Sequence, residues 1–399
     1  MGIARTRRAL VAAFLAAHAT AALATYFDPV QTYSSIPTTS AGFANGDRHY
    51  GQGVAVPDGR VIYPPALGTY VGIYDPSTNT FAPNVSLAIS GSYKYYTAAP
   101  LLDGRACFVP YWAEQVTVFD PATNGLEHIP IPTAHRSDQK KYIGGATAND
   151  GRVVMAPALE NGVGVFDPDA KTFVKYDFDP LPAPAGTFLY QGAAKAGNGK
   201  IVFAPYSTVV PVGIFDPSTN TFYTLPHGAA SVDPLVAVVF NGAAAAYGGR
   251  VVLAPYYADS IGVYDPVSDE VTLIPHNRTD RPFFDAAPRA YDGKVIFAPY
   301  NVNEFGIFDA RDNALSWHPL GDAYLGKTSM FWMATAANAT RILFTGRTSV
   351  GYELGVFDAT CGAAPKTMLQ STGSCFDPPP CTECCHLRKK AMGLNVPCA

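Results

Sequence analysis

An all-β fold follows from three regularities in this sequence of 399 residues. In seven places an aromatic residue stands ten positions before a basic one: Tyr50, Tyr95, Tyr142, Tyr190, Phe240, Phe284 and Phe331 precede Arg60, Arg105, Arg152, Lys200, Arg250, Lys294 and Arg341. An aromatic-Asp pair closes each unit, at Asp75, Asp120, Asp167, Asp216, Asp265, Asp309 and Asp358, so the units recur every 44 to 49 residues. Seven positions before each basic residue the side chain is small: Gly53, Ala98, Gly145, Ala193, Ala243, Ala287 and Ala334. A period in this range belongs to solenoids, propellers or arrays. Small residues at one place in every first strand are what strands crowding a shared axis require. The sequence therefore predicts a ring, a seven-bladed β-propeller over residues 25–360.

Each strand has its own local reason, and the unit from Tyr190 to Pro226 shows them in order. Pro and Gly are too frequent for a helix of useful length. A first strand runs from Tyr190 to Lys195, Asn198-Gly199 makes a tight hairpin turn, and Lys200 to Ala204 returns as the second strand. A variable stretch from Pro205 to Pro211 follows, then a third strand from Val212 to Phe215. Asp216-Pro217-Ser218-Thr219-Asn220 is a turn in which Pro217 pre-sets φ and Asp216 accepts from the backbone ahead, and Thr221 to Leu225 is the fourth strand. Four antiparallel strands per unit form a propeller blade. The last unit supplies only three strands up to Asp358. Residues Tyr26 to Pro37 read as a turn plus a fourth strand, so an N-terminal strand is expected to close the seventh blade and leave no unpaired edge. Lys366 to Gln370 is the rival closing strand.

The ends of the chain differ from the repeat. Arg5, Arg7 and Arg8 precede an apolar run from Ala9 to Ala24 that ends in Ala22-Leu23-Ala24, the pattern of a cleaved signal peptide over residues 1–24. A membrane anchor needs roughly 20 apolar residues, and this run is shorter and carries His18. A secreted, extracellular protein starting at Thr25 is expected, without a membrane span. Three glycosylation sequons begin at Asn84, Asn277 and Asn338. Six cysteines, Cys361, Cys375, Cys381, Cys384, Cys385 and Cys398, crowd residues 361–399, which reads as a linker and a small disulfide-stapled tail of open connectivity. Cys381, Cys384, Cys385 and His386 as zinc ligands are the competing reading. Cys107, alone in the ring, takes a position where other units hold Val or Ile and is expected to be a buried thiol. A net charge of −4 and the lack of a basic run with interleaved aromatics give no case for nucleic acid.

At Val212-Gly213-Ile214-Phe215-Asp216-Pro217-Ser218-Thr219-Asn220-Thr221-Phe222, and at its copies around Asp75 and Asp265, the chain resembles kelch repeats. The kelch Trp position holds Phe81, Leu126, Phe173, Phe222, Val271 and Leu315, and the kelch Gly-Gly doublet is replaced by Ala-Pro. The unit is more similar still to repeat arrays of uncharacterised algal and protist proteins, which have no assigned activity, and more loosely to streptogramin-lyase-like propellers. The resemblance covers residues 26–360 and implies a fold, with no catalytic residue to carry over.

No Gly-x-Ser-x-Gly, His-Glu-x-x-His, Gly-x-Gly-x-x-Gly or P-loop motif is present, and no cofactor or metal is implied. His227 and His276 sit at equivalent places, as repeats copy structural residues. The seven basic residues are expected near one rim, neutralised there by carboxylates such as the closing Asp of each unit. The variable loops at the opposite rim carry the candidate ligand-binding residues: Tyr111, Trp112 and Glu114; Glu160; Tyr206; Tyr256, Tyr257 and Asp259; Tyr300 and Glu304. Aromatics beside carboxylates can stack on a sugar while accepting its hydroxyl hydrogens, or can anchor a protein. A secreted binding or assembly module for a glycan or a secreted protein is expected. An extracellular lyase or hydrolase acting in the ring's mouth is the alternative.

Overall fold

The structure is a computed structural model and describes residues 30–36, 50–135, 140–278, 280, 283–289, 292–338, 340–347, 350 and 353–360. The chain divides into Tyr33–Phe357 and a second unit made of the two ends, and the fold described below is that of the first. The leader, the six tail cysteines and residues 366–370 lie outside the described residues.

Among the described residues there are seven four-stranded antiparallel sheets, six of them in simple chain order. Blade 4 has strands Tyr190–Lys195, Ile201–Pro205, Val212–Asp216 and Thr221–Leu225, within a residue of the expectation. In the seventh sheet Phe331–Ala336, Arg341–Gly346 and Leu354–Thr360 are followed outward by Val30–Ile36, so the strand earliest in sequence is the outermost. The innermost strands touch in succession around the ring, and Phe331–Ala336 returns to Val54–Ala55 of blade 1.

The aromatic repeat has a packing cause. In blades 1, 3, 4, 6 and 7 the ring fills space above a glycine in the third strand of its own blade, whereas in blade 2 Thr117 takes that place and bonds the Tyr95 hydroxyl at 2.6 Å. A Cβ on Gly164 would come 2.7 Å from Tyr142, one on Gly213 2.8 Å from Tyr190, and one on Gly306 2.5 Å from Phe283. Tyr95, Tyr142, Tyr190, Phe240, Phe283 and Phe331 are fully buried, each contributing roughly 1.5–3 kcal/mol by leaving water. Neighbouring blades share the apolar wedges so formed, as where Phe166 and Tyr142 of blade 3 pack with Val109 and Val118 of blade 2.

Blade 6 corrects the sequence frame. Phe283, not Phe284, pairs with Pro299 as Tyr190 pairs with Pro205, and Ala286, not Ala287, lies opposite Phe297 as Ala193 lies opposite Phe203. The first hairpin of blade 6 is one residue longer, which displaced any count made backward from Lys294.

The rim of the basic residues is structural, and its partners are more varied than the closing Asp alone. Arg60, Arg105 and Arg152 pair with the hairpin carboxylates Asp58, Asp103 and Asp150 at 2.6–2.7 Å. Arg250 and Lys294 use the closing Asp265 and Asp309. Several reach forward to the next blade's turn. Arg60 donates to Pro121 O and Asn124, Arg152 to Asn220, Arg250 to Ala310 O, and Arg341 of blade 7 to Tyr74 of blade 1. Asn198 does the same for blade 4 at Tyr264 and Pro266 O. The closing Asp residues mainly hold their own turns, as Asp216 accepts from Ser218 N at 2.9 Å.

The centre is built in two ways. In blades 3 to 5 the innermost strands bulge at Gly144, Gly192 and Gly242 and meet backbone to backbone. A Cβ on Gly144 would lie 2.7 Å from Gly192, and one on Gly192 2.6 Å from Gly242. The equivalent positions elsewhere hold Asp285, Met333, Gln52 and Thr97. The buried Asp285 carboxylate accepts from Gln52 Nε2 at 3.1 Å and from Ala334 N at 3.1 Å, tying blades 6, 7 and 1. Gly53 N donates to Thr335 Oγ1 at 3.0 Å, and Gly144 N to Thr97 Oγ1 at 3.1 Å.

Candidate functional site

The face opposite the basic rim is made by loops that join second to third strands and one blade to the next. Proline ends the second strand in six blades, at Pro65 by an isolated pairing and at Pro110, Pro157, Pro205, Pro255 and Pro299 in register, and so releases the chain into these loops. Tyr111, Ala158 and Tyr300 of these loops join Tyr96, Ile143, Trp332 and Met333 of the innermost strands in one buried cluster. Tyr96 lies 4.4 Å from Tyr111 and edge-on to Trp332 at 5.3 Å. The mouth of the ring is therefore filled with rings.

Of the expected site residues, Tyr111 and Tyr300 belong to this plug, at 5% and 6% exposure. Trp112 does not. It is 41% exposed and stands edge-on to Tyr111 at 6.3 Å, with its backbone N–H held by Tyr93 O. Glu114, two residues on, is also exposed. Half-buried Tyr256 joins Tyr257 at 4.7 Å and Tyr300 at 5.5 Å, and burial, ahead of the neighbouring hydroxyls of Tyr300, Tyr257 and Tyr206, pushes its phenol well above the usual range. Asp259 is exposed beside them.

The carboxylates do not converge. Glu304 pairs with Arg278 at 2.9 Å, on an arginine that also stacks over Trp317 and binds Asp280. Glu160 lies 3.7 Å from Lys175, both within blade 3 and away from Glu304 of blade 6. The histidines are tied to backbone: His227 Nδ1 accepts from Ala229 N at 2.9 Å, which leaves Nε2–H to donate to Val210 O at 3.1 Å. His276 makes the same pair of bonds with Arg278 N and Ala258 O. Burial holds both below the usual imidazole range. Cys107 is buried and free, its thiol pushed far up by desolvation. Among the described residues no three His, Cys, Asp or Glu side chains gather as metal ligands.

One pocket of about 300 Å³ opens on this face between blades 3 and 4. Its walls are the Leu159-Glu160-Asn161 loop and the connection through Leu181, Ala183, Pro184, Thr187 and Leu189, with Lys175 from the outer strand below. The connection is fixed at both ends, Phe178 N donating to Asn161 O and Leu189 N to Ala158 O. Sequence reasoning reached Glu160 but missed Lys175 and Asn161, which carry no motif and become neighbours only through strand pairing.

The sequons lie apart from this pocket. Asn84 is exposed on the outer strand of blade 1, and Asn277 and Asn338 are exposed in loops.

The fold and its loop face define the class: a seven-bladed, all-β propeller of four-stranded blades. Solved structures agree. A streptogramin B lyase superposes with a TM-score of 0.63 at 14% identity, over 82% of this chain and 97% of that one. The virginiamycin B lyase of Staphylococcus aureus gives 0.64 at 13%, over 82% and 99%. The extracellular domain of a one-component system of B. thetaiotaomicron gives 0.59 at 11%, over 84% and 43%. At these identities the likeness shows the fold alone. No protein-family model matches the chain, and no curated protein does. The kelch-like and algal or protist resemblance thus stands at the level of fold, without a family behind it.

Proposed function

We propose that this chain is a secreted binding module that recognises a glycan through the loop face of the propeller. The observation that carries the reading is Trp112: an indole 41% exposed, braced against a buried tyrosine and followed by the exposed Glu114. An exposed ring on a rigid scaffold gives a sugar's apolar face a platform at little entropic cost, and a nearby carboxylate accepts its hydroxyl hydrogens. Secretion rests on the leader pattern over residues 1–24. Extracellular domains among the structural neighbours are compatible with it. A secreted protein docked on the same face is the other occupant this surface would suit.

An extracellular lyase or hydrolase in the mouth has less support, even though two neighbours are lyases. Tyr96, Tyr111 and Trp332 pack into one buried cluster at the mouth, His227 and His276 are bonded to backbone, and Glu304 is paired with Arg278.

The test is a glycan array probed with the purified chain and with Trp112→Ala. Binding that the variant loses, at an unchanged thermal midpoint, supports the proposal. An array with no signal, or one indifferent to Trp112, overturns it.

A further inference from the structure

We infer that the pocket between blades 3 and 4 is a subsite for a neutral pyranose, recognised through two adjacent hydroxyls. The inference rests on the glycan-binding reading above and gives it a second, separate place. Three observations carry it: the cavity, the chemistry of its floor and the character of its rim.

The cavity is small and built. At about 300 Å³ it lies at the lower end of ligand pockets and has room for one sugar ring. Hydrogen bonds pin both ends of the connection that forms one wall, and Pro180, Pro182 and Pro184 stiffen it between them.

The floor offers an acceptor beside a donor. Lys175 Nζ donates to Asn161 Oδ1 at 2.8 Å and pairs with Asp177 at 3.1 Å and Glu160 at 3.7 Å. An ammonium can only donate, so this bond fixes the Asn161 amide with its oxygen toward Lys175 and its NH2 group turned away. The next residue back, Glu160, is 5% exposed and presents a carboxylate, which accepts. A sugar hydroxyl donates and accepts at once. Two neighbouring hydroxyls can give a hydrogen to Glu160 and take one from Asn161. Lys175 is a positioning residue here: it orients the amide and balances the buried carboxylate.

The rim supplies the apolar partner. Leu181, 44% exposed, lines the pocket together with Leu159, Ala183, Pro184 and Leu189. That places a hydrocarbon surface against which the C–H face of a pyranose can lie. Of the charged side chains in the lining, Lys175 is already bonded by Asn161, Asp177 and Glu160, so a phosphate or carboxylate ligand would meet the Glu160 carboxylate without a free cation, and a neutral polyol is favoured.

Ligand-observed NMR with methyl α-pyranosides of glucose, mannose and galactose tests this on the full chain, beside Glu160→Gln, Leu181→Asp and n-butylamine as a cationic probe. At least one glycoside should bind, and either substitution should weaken it about tenfold, Glu160→Gln by loss of a charge-assisted hydrogen bond and Leu181→Asp by loss of the apolar face. Leu181 is at the surface, so Leu181→Asp keeps the test decisive if Glu160→Gln unfolds the blade. Binding by none of the three glycosides, binding indifferent to Leu181→Asp, or binding of butylamine alone overturns the subsite. Array binding that depends on Trp112 but not on Glu160 or Leu181 would sink this inference and leave the glycan-binding reading standing.

Discussion

The two halves of the central channel solve one crowding problem differently. Blades 3 to 5 bring Gly144, Gly192 and Gly242 into contact, so three strands approach with no side chain between them. Blades 6, 1 and 2 place Asp285, Gln52 and Thr97 at the same station and bind through side chains, and blade 7, with Met333 there, joins them through Ala334 N and Thr335 Oγ1. The first half depends on empty space and the second on satisfied polar groups. A steric join fails by overlap, whereas a polar join fails by leaving donors buried without acceptors. The polar half contains the sheet in which Val30–Ile36 pairs with Leu354–Thr360, strands far apart in sequence, where directional bonds fix register as well as distance.

Three measurements would break or sharpen this contrast. Gly192→Ala should be the most damaging: its φ of 106° is outside what alanine adopts readily, and the new Cβ would stand 2.6 Å from Gly242. A loss of about 3 kcal/mol or more in urea unfolding is expected. Asp285→Ala should cost about 2 kcal/mol, by leaving the buried Ala334 N–H without its acceptor and Gln52 Nε2 with Ala334 O alone. If Asp285→Ala proved the worse of the two, the polar half would be the stronger join and the contrast would reverse. The smallest effect belongs to pH. His227 and His276, after blades 4 and 5, have folded-state pKa values lowered by burial, so the unfolded chain binds more protons than the native one. Their contribution is full above the unfolded value near 6.5 and declines as pH falls through the folded value. The amide-exchange protection factors of Ala229 and Arg278, whose N–H groups these imidazoles hold, should fall on that descent.

The ring was legible because its causes repeat. An aromatic over a glycine, a basic residue reaching the next turn and an Asp holding its own turn each recur from blade to blade and leave a period in the sequence. Asp285 belongs to no motif, and only the alignment of the second residue after each buried aromatic sets it beside the three glycines. Phe283 and Phe284 are adjacent and alike, so one extra hairpin residue was enough to shift that blade's frame. The candidate site was less legible. Tyr111 and Trp112 are neighbours in sequence, yet one is core and the other surface, and only the loop's path decides which. Lys175, Asn161 and Leu181 come from three segments and form a pocket only once strands have paired.

The forward reach of the basic rim has a consequence for how such a chain can grow. Arg60, Arg152, Asn198, Arg250 and Arg341 each find their acceptor on whichever blade comes next, so the rim imposes no limit on how many blades follow one another. Duplication of one gene segment would leave every such handshake intact. The limit is set at the hub, where Gly144, Gly192 and Gly242 already touch: an eighth blade would prise them apart, and the axis would open into a pore.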